Sequence, residues 1–207
     1  MSLRRILQLA LMVCLGALHA QIIQFESGGL KYKTMTRDGV TVMFAVLPTR
    51  IHDYAVLQVA ISNGSPVSWP VKPEDFKFER PDGSVIEALS ATTVIDTLME
   101  KARGSDVIRL TAAYENALYG NTEIHSTNGY ESRRQNAMAA TGSNKLNAAA
   151  AASAIALVAA KLAPHQSTDG AIFYSNQGKP LGAGRLVVKI GEETFAFPVD
   201  PIGPKPR

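Results

Sequence analysis

Cysteine is nearly absent from this sequence of 207 residues, since Cys14 is the only one. Cys14 lies in an N-terminal segment that we expect to be removed, so the mature chain would hold no thiol. Such a chain can form neither disulfides nor thiolate metal sites, and it has no cysteine nucleophile. We therefore expect an ordinary hydrophobic core to hold the fold, and the chain is long enough to build one.

A large excess of one charge is also missing. The sequence has 21 Lys and Arg residues against 18 Asp and Glu residues. Two of the basic residues, Arg4 and Arg5, lie in the segment expected to be removed, and the balance of the remainder is close to neutral. The remaining basic residues are scattered, with Arg133-Arg134 as the only adjacent pair. This distribution predicts no nucleic-acid partner.

Catalytic and metal-binding motifs are absent as well. The histidines beyond residue 20, which are His52, His125 and His165, lie far apart in predicted loops. No zinc-protease motif, calcium loop or serine-nucleophile motif occurs. The neighbouring acids Glu192 and Glu193 would point to opposite faces of a strand, which is unsuited to a pair of catalytic carboxylates. We predict a protein that is not an enzyme and that uses no cofactor or metal.

Residues 1–20 have the pattern of a secretory signal. Arg4-Arg5 precede an apolar run from Ile6 to Leu18, and Ala20 is a small residue suited to the cleavage site. The run is too short to span a membrane comfortably. One alternative is an uncleaved anchor. Another is a lipid anchor at Cys14, which we disfavour because lipid-attachment signals need a small residue directly before the cysteine, and here that residue is Val13. The segment predicts export to the periplasm or outside the cell, with no membrane span in the mature chain.

Short alternating apolar runs at both ends of the chain predict strands. The predicted strands are 30–36, 40–47, 53–62, 67–71, 75–79 and 85–89, followed late in the chain by 170–175, 185–190 and 193–199. Gly191 suits a type II′ turn between the last two strands. Strands at this spacing favour an antiparallel β-sandwich over a parallel sheet. We expect Phe195 and Phe197 to pack against the early strands, because a hairpin alone is only marginally stable.

The middle of the chain has helical periodicity. Val107, Leu110, Tyr114 and Leu118 follow the spacing of one helix face. Residues 147–162 are rich in alanine and are predicted to form a helix that Pro164 ends. We interpret this block as a helical insertion between the early and late strands, with a mobile loop at 121–129. A division into two successive domains is the competing interpretation, but it leaves the C-terminal hairpin without partners.

The resulting division of the chain has five parts. They are a signal peptide at 1–20, a flexible lead-in at 21–29, one discontinuous β-sandwich domain at 30–91 and 163–200, a helical insert at 92–162, and a tail at 201–207. The fold class is mainly β with an α insert. Everything in this division depends on the two ends of the chain sharing one core.

Several turns resemble those of a known group of domains. The segments that carry the resemblance are 61–67 (Ile-Ser-Asn-Gly-Ser-Pro-Val), 75–78 (Asp-Phe-Lys-Phe) and 82–85 (Asp-Gly-Ser-Val). They look like the strand and turn pattern of bacterial exported immunoglobulin-like domains of unknown function, often called telokin-like. Residues 162–174 resemble the Pro-Gly step into a late strand of those domains, with His165 where Gly is usual. The resemblance covers 30–90 and 162–199, and it implies an immunoglobulin-like sandwich in the cell envelope without an active site.

Aromatic residues supply the candidate interaction residues. Trp69, the only tryptophan, lies in a proline-flanked segment, where it either anchors a partner or a sugar or caps the sandwich core. Tyr114, Tyr119 and Tyr130 of the insert either form a contact surface or pack helix on sheet, and His125 lies in the loop between them.

From these residues we expect a non-enzymatic exported protein-interaction module whose insert contacts an unidentified envelope protein. The alternative is a small-molecule or carbohydrate binder or hydrolase that uses a cleft between the insert and the sheet. A third hypothesis is self-assembly in the envelope. The sequence predicts no particular oligomeric state.

Overall fold

The computed structural model describes residues 21–48, 53–101, 112, 114 and 155–201. These residues form eleven strands, one α-helix and a short 3-10 turn at Pro73–Asp75. The strands are β1 Ile23–Ser27, β2 Leu30–Arg37, β3 Val40–Val46, β4 Tyr54–Asn63, β5 Trp69–Val71, β6 Phe76–Glu79, β7 Val85–Glu87, β8 Ala160–Leu162, β9 Ser167–Ser175, β10 Gly184–Ile190 and β11 Glu193–Val199, and the helix is α1 Ala91–Lys101. The predicted tail, apart from its first residue, and the predicted signal peptide lie outside the described residues.

The strands form three antiparallel sheets. The large sheet has the order β1-β2-β3-β4-β9, the small sheet has the order β11-β10-β6-β7, and β5 pairs with β8 alone. The large sheet joins the two ends of the chain, because β4 pairs with β9 from Tyr54–Ser175 to Ser62–Ser167. The small sheet also joins early and late parts of the chain, because β10 pairs with β6. The part of the predicted fold class that is confirmed is a mainly antiparallel β structure, consistent with a β-sandwich.

The core between the large and small sheets is apolar. We call the face of the large sheet that packs here its inner face. The ring of Phe44 on β3 meets the ring of Phe197 edge to face at 5.1 Å, and Phe78 meets Tyr174 at 6.3 Å. Phe195 is fully buried in the same cluster. The expectation that Phe195 and Phe197 pack against the early strands is therefore confirmed.

Two-residue turns connect the hairpins. Asp38-Gly39 and Gly28-Gly29 both have positive φ at each position, as a type I′ turn requires. Gly191 has φ +60° and Glu192 is not in the positive region, which is the pattern predicted for a type II′ turn. The predicted flexible lead-in at 21–29 is wrong, because β1 pairs with β2 over five residues across the Gly28-Gly29 turn.

The end of the predicted alanine-rich helix is also wrong. Ala156 forms a parallel bridge with Ala171, and the Leu157 N–H donates to the Ala171 carbonyl at 3.0 Å. Residues 160–162 then form β8, in which Leu162 pairs with Trp69. Helix propensity is a weak preference, and here pairing with two strands overrides it. The return to the sandwich therefore begins before residue 163.

Described residues of the predicted insert pack on the outer face of the large sheet. Val94 of α1, the helical residue Tyr114 and Ile155 are fully buried against this face, in one cluster with Val56 and Phe173. Ser90 caps α1, because its hydroxyl accepts the Thr93 N–H at 3.2 Å. The described residues of the predicted insert therefore pack on the sandwich as part of one core cluster.

Candidate interaction site

Trp69 lies at one end of the sandwich, half buried against the core between the sheets. Its indole Nε1–H donates to Ser65 Oγ at 2.8 Å. Its ring lies so close to the hairpin turn that a Cβ on Gly191 would overlap it. The indole N–H is thus hydrogen-bonded within the molecule, and one side of the ring packs against the Gly191 turn. This placement matches the prediction of a core cap rather than that of an exposed anchor.

Asn63 organises the same end of the molecule, and the sequence reasoning assigned it no role beyond ending a strand. Its side chain is fully buried. Its Nδ2–H groups donate to the carbonyls of Val67 at 2.7 Å and Leu162 at 3.0 Å. Its Oδ1 accepts the Ser65 N–H at 3.0 Å and the Ser65 hydroxyl at 2.7 Å. Asn63 therefore joins the end of β4 to the Ser65 turn and to β8.

His165 adopts a backbone conformation that glycine usually provides. The turn Ala163–Gln166 closes with the Gln166 N–H on the Ala163 carbonyl at 3.1 Å, and His165 has φ +64° at its third position. Pro164 before a residue of positive φ is the arrangement of a type II turn. The imidazole is exposed. The chain therefore forms the same type II turn that a Pro-Gly sequence would form, but with a strained histidine at the position that Gly usually occupies.

Tyr114 meets a buried carboxylate on the outer face of the large sheet. Its hydroxyl donates to Asp169 Oδ2 at 2.5 Å. On the same face the Tyr32 hydroxyl donates to Gln58 Oε1 at 2.9 Å. Buried polar groups need such bonds, because their desolvation is unfavourable. All four side chains are 1% exposed or less, so Tyr114 belongs to the core and not to a contact surface.

The other predicted interaction residues of the insert are Tyr119, His125 and Tyr130. All three lie outside the described residues. Large apolar side chains that are exposed in the described part are Ile23, Val67, Val85 and Val158. None of these four was a predicted interaction residue, because an isolated apolar residue in a loop or at a strand end gives no signal of its own.

Three of the four outer edges of the large and small sheets are closed or short. On β9 the Phe173 carbonyl accepts the Leu89 N–H at 2.9 Å, and the Ala171 carbonyl accepts that of Leu157. On β11 the carbonyls of Thr194 and Pro198 accept side chains of β2, which are those of Arg37 at 2.6 Å and Lys33 at 2.7 Å. The edge strand β7 has only three residues.

The fourth edge, on β1, is open in the part of the chain that the structure describes. There β1 pairs with β2 alone. Gln24 and Glu26 are exposed, and Ile23 is 57% exposed. Phe25 stacks on Tyr32 with ring centroids 5.2 Å apart. An edge with apolar residues, a single charge and no proline is suited to pairing with another strand.

Charged side chains of β2 and the turn after it meet those at the two ends of β11. The Lys33 ammonium binds Asp200 Oδ2 at 2.8 Å, and this hydrogen bond lowers the pKa of Asp200. At the other end of β11, a hydrogen bond between the carboxyl groups of Asp38 and Glu193 raises the pKa of Glu193. Together with the bonds from Arg37 and Lys33 to β11 carbonyls, the Lys33–Asp200 ion pair joins β2 to the end of the chain along this side, whereas the two carboxyls favour contact only when one of them is protonated.

Within the described ranges, no three His, Cys, Asp or Glu side chains form a group that could hold a metal ion. No helix in those ranges has the length and apolar character needed to cross a membrane. Comparison of the chain with protein-family models, with curated proteins and with solved structures gives no match.

Proposed function

We propose that the protein is an exported, non-enzymatic interaction module, in which an immunoglobulin-like sandwich presents the insert to another protein of the cell envelope. The signal pattern at 1–20 supports export. The two packed antiparallel sheets and the type II turn at Pro164-His165 support the immunoglobulin-like scaffold. Function on such scaffolds is carried more often by inserted segments than by the strands themselves.

The observation that carries this proposal is the position of the two points at which the insert is attached to the sandwich. Its first end is fixed by the Leu89 N–H on the Phe173 carbonyl, and its last end by the Leu157 N–H on the Ala171 carbonyl. These carbonyls are two residues apart on one strand, or about 7 Å. The insert therefore leaves and rejoins the sandwich at neighbouring points of one strand, and this shared attachment supports its presentation by the sandwich.

A cleft between insert and sheet, as in the alternative function, receives less support. Val94, Tyr114 and Ile155 fill the described part of this seam and are fully buried. The polar side chains in the seam, Gln58 and Asp169 among them, are also almost completely buried. The Tyr114–Asp169 bond joins the insert to the sheet, the Tyr32–Gln58 bond joins two strands, and Gln58 Nε2 is left without a hydrogen-bond partner within the described chain.

Crosslinking in intact cells tests the proposal. The variant is Tyr119→Ser/His125→Ser/Tyr130→Ser, which removes the candidate contact residues of the insert. Deletion of the insert is a poorer test, because it would uncover Phe173 and the rest of the outer face. We expect wild type to crosslink to a defined envelope protein, and the triple variant to lose that product.

The control variant is Val67→Ser/Val85→Ser, which changes two exposed residues of the sandwich. It should retain the crosslinked product, and both variants should keep the thermal stability of wild type. The proposal is wrong if the triple variant is fully folded and still gives the same product. A signal that is not cleaved, or protein that stays in the cytoplasm, would contradict the exported location instead.

A further inference from the structure

We infer that the open edge of β1 binds β1 of a second copy of this chain, antiparallel and centred on Phe25, so that two large sheets join into one. The other outer edges are closed by backbone or side-chain donors or are short, and β1 differs from all of them. This inference goes beyond the proposed function. It needs neither the insert nor an envelope partner.

The hairpin geometry fixes which groups β1 offers. Ser27 and Leu30 flank the two-residue Gly28-Gly29 turn, and the residues flanking such a turn form a hydrogen-bonded pair. Because the pattern alternates along the strand, Phe25 directs its N–H and C=O toward β2, whereas Gln24 and Glu26 direct theirs outward. A strand added to this edge would therefore pair with Gln24 and Glu26.

A second β1 fits these groups in one register. When Phe25 lies opposite Phe25 of the copy, Gln24 lies opposite Glu26 of the copy, and Glu26 opposite its Gln24. Each of these two pairs can exchange both of its backbone hydrogen bonds. Each also places an amide donor beside a carboxylate, since side chains of paired residues lie on one face.

The aromatic residues favour the same register. Phe25 already stacks on Tyr32 of its own hairpin. In the pair, the two Phe25 rings would become direct cross-strand neighbours, which extends the stack from Tyr32 of one copy to Tyr32 of the other. Aromatic cross-strand pairs are among the favourable ones in sheets. Ile23 would lie opposite Ser27 of the copy and lose much of its exposure.

This self-complementarity is why we assign the edge to a second copy rather than to an unrelated strand. No like charges face each other in the register, and each strand supplies both members of the amide–carboxylate pair. An interface of two five-residue strands lies at the small end of the size range for protein pairs. We therefore expect a reversible dimer whose population rises with protein concentration.

The test measures dimer dissociation by sedimentation, on the chain recovered from exporting cells with its N-terminus identified by mass spectrometry. Gln24→Glu places two carboxylates opposite each other at both pairs, and it should weaken the dimer about tenfold. The exchange Gln24→Glu/Glu26→Gln restores one amide and one carboxylate in each pair, and it should return the dissociation constant to that of wild type. Ser68→Glu adds the same charge at an exposed loop residue and should change nothing.

Hydrogen exchange gives a second measurement on the wild-type chain. The amides of Gln24 and Glu26 should exchange more slowly as the concentration rises, whereas that of Phe25 should be protected throughout. A chain that stays monomeric at the highest attainable concentration overturns the inference. So does a dimer that ignores Gln24→Glu, or one that the exchange variant fails to restore, since either result assigns the contact to another surface or register.

Discussion

The two faces of the large sheet are buried in different ways. The inner face meets another sheet through side chains that are almost all apolar, such as Phe44 and Leu57. The outer face meets the insert, and there Gln58 and Asp169 are buried among the apolar residues. Period-two patterning is sufficient to specify the first contact, whereas the second also depends on hydrogen bonds with a particular geometry. The inner face thus determines the fold, and the outer face determines where the insert docks.

The largest effect should come from the inner face. Phe197→Ala removes a fully buried ring that meets Phe44, and we expect the free energy of unfolding to fall by about 3–5 kcal/mol. Urea denaturation measures this change. Phe197→Leu, which keeps most of the volume, should lose much less. A loss below about 1 kcal/mol for the alanine variant would contradict the packing described here.

Removing one tyrosine hydroxyl from each face allows a direct comparison of how the two faces contribute to stability. Tyr114→Phe, on the outer side, removes the donor to the buried Asp169 carboxylate and should lower the free energy of unfolding by about 1–3 kcal/mol. Tyr174→Phe, on the inner side, removes a buried hydroxyl that has no hydrogen-bond partner within the described chain. Burial also raises the pKa of Tyr174.

We expect Tyr174→Phe to leave the stability unchanged or to increase it, because a desolvated and unpartnered hydroxyl is lost. The two variants differ from wild type by the same atom, so equal losses from both would show that the faces do not differ in this respect. Urea denaturation at neutral pH measures both.

The turn at His165 should give a smaller effect of opposite sign. His165→Gly relieves the positive φ and should raise the free energy of unfolding by up to about 1 kcal/mol, because the flexibility that Gly adds to the unfolded chain offsets part of the gain. His165→Ala is the matched control. It keeps the strain and should not stabilise, so a gain from alanine as large as that from glycine would reject the conformational explanation.

The smallest effect concerns the exposed carboxyl pair. Hydrogen bonding with Asp38, together with its charge, raises the pKa of Glu193. The folded state therefore holds its proton more tightly than the unfolded state does, and this pair stabilises the fold as the pH falls through the raised pKa. Asp38→Asn should return the pKa of Glu193 toward its ordinary value, as an NMR titration of Glu193 would show. An unchanged titration would mean that the two carboxyls do not interact in solution.

The strands of the sandwich could be predicted because their cause is local. In β6, β10 and β11 apolar residues recur at every second position, β4 is a long and mostly apolar run, and Gly or Pro residues stand between the strands. β1 was missed although Gly28-Gly29 is itself a hairpin signal, because Gln24 and Glu26 make the strand look like a polar linker. β8 was missed because nothing in residues 160–162 shows that β5 will pair with them.

The candidate site was less predictable, since its parts are distant in sequence. The helical spacing predicted a helix through Tyr114, which is helical and buried, but spacing does not reveal that its hydroxyl reaches Asp169. The spacing of apolar residues also does not identify the sheet, or the face of that sheet, on which the helix packs. For Trp69 the Pro residues around it suggested an edge, whereas its contact with the Gly191 turn required the fold.

The pairing of β4 with β9 also sets an order of events. Tyr54 must find Ser175, and the whole insert separates them. In a chain made from its N-terminus, the meander β1–β4 is complete long before β9, β10 and β11 exist. Until those last strands emerge, Val42, Phe44 and Leu57 lack the cover that Phe195 and Phe197 provide. Such distant pairing slows folding and leaves apolar surface open to aggregation during this interval.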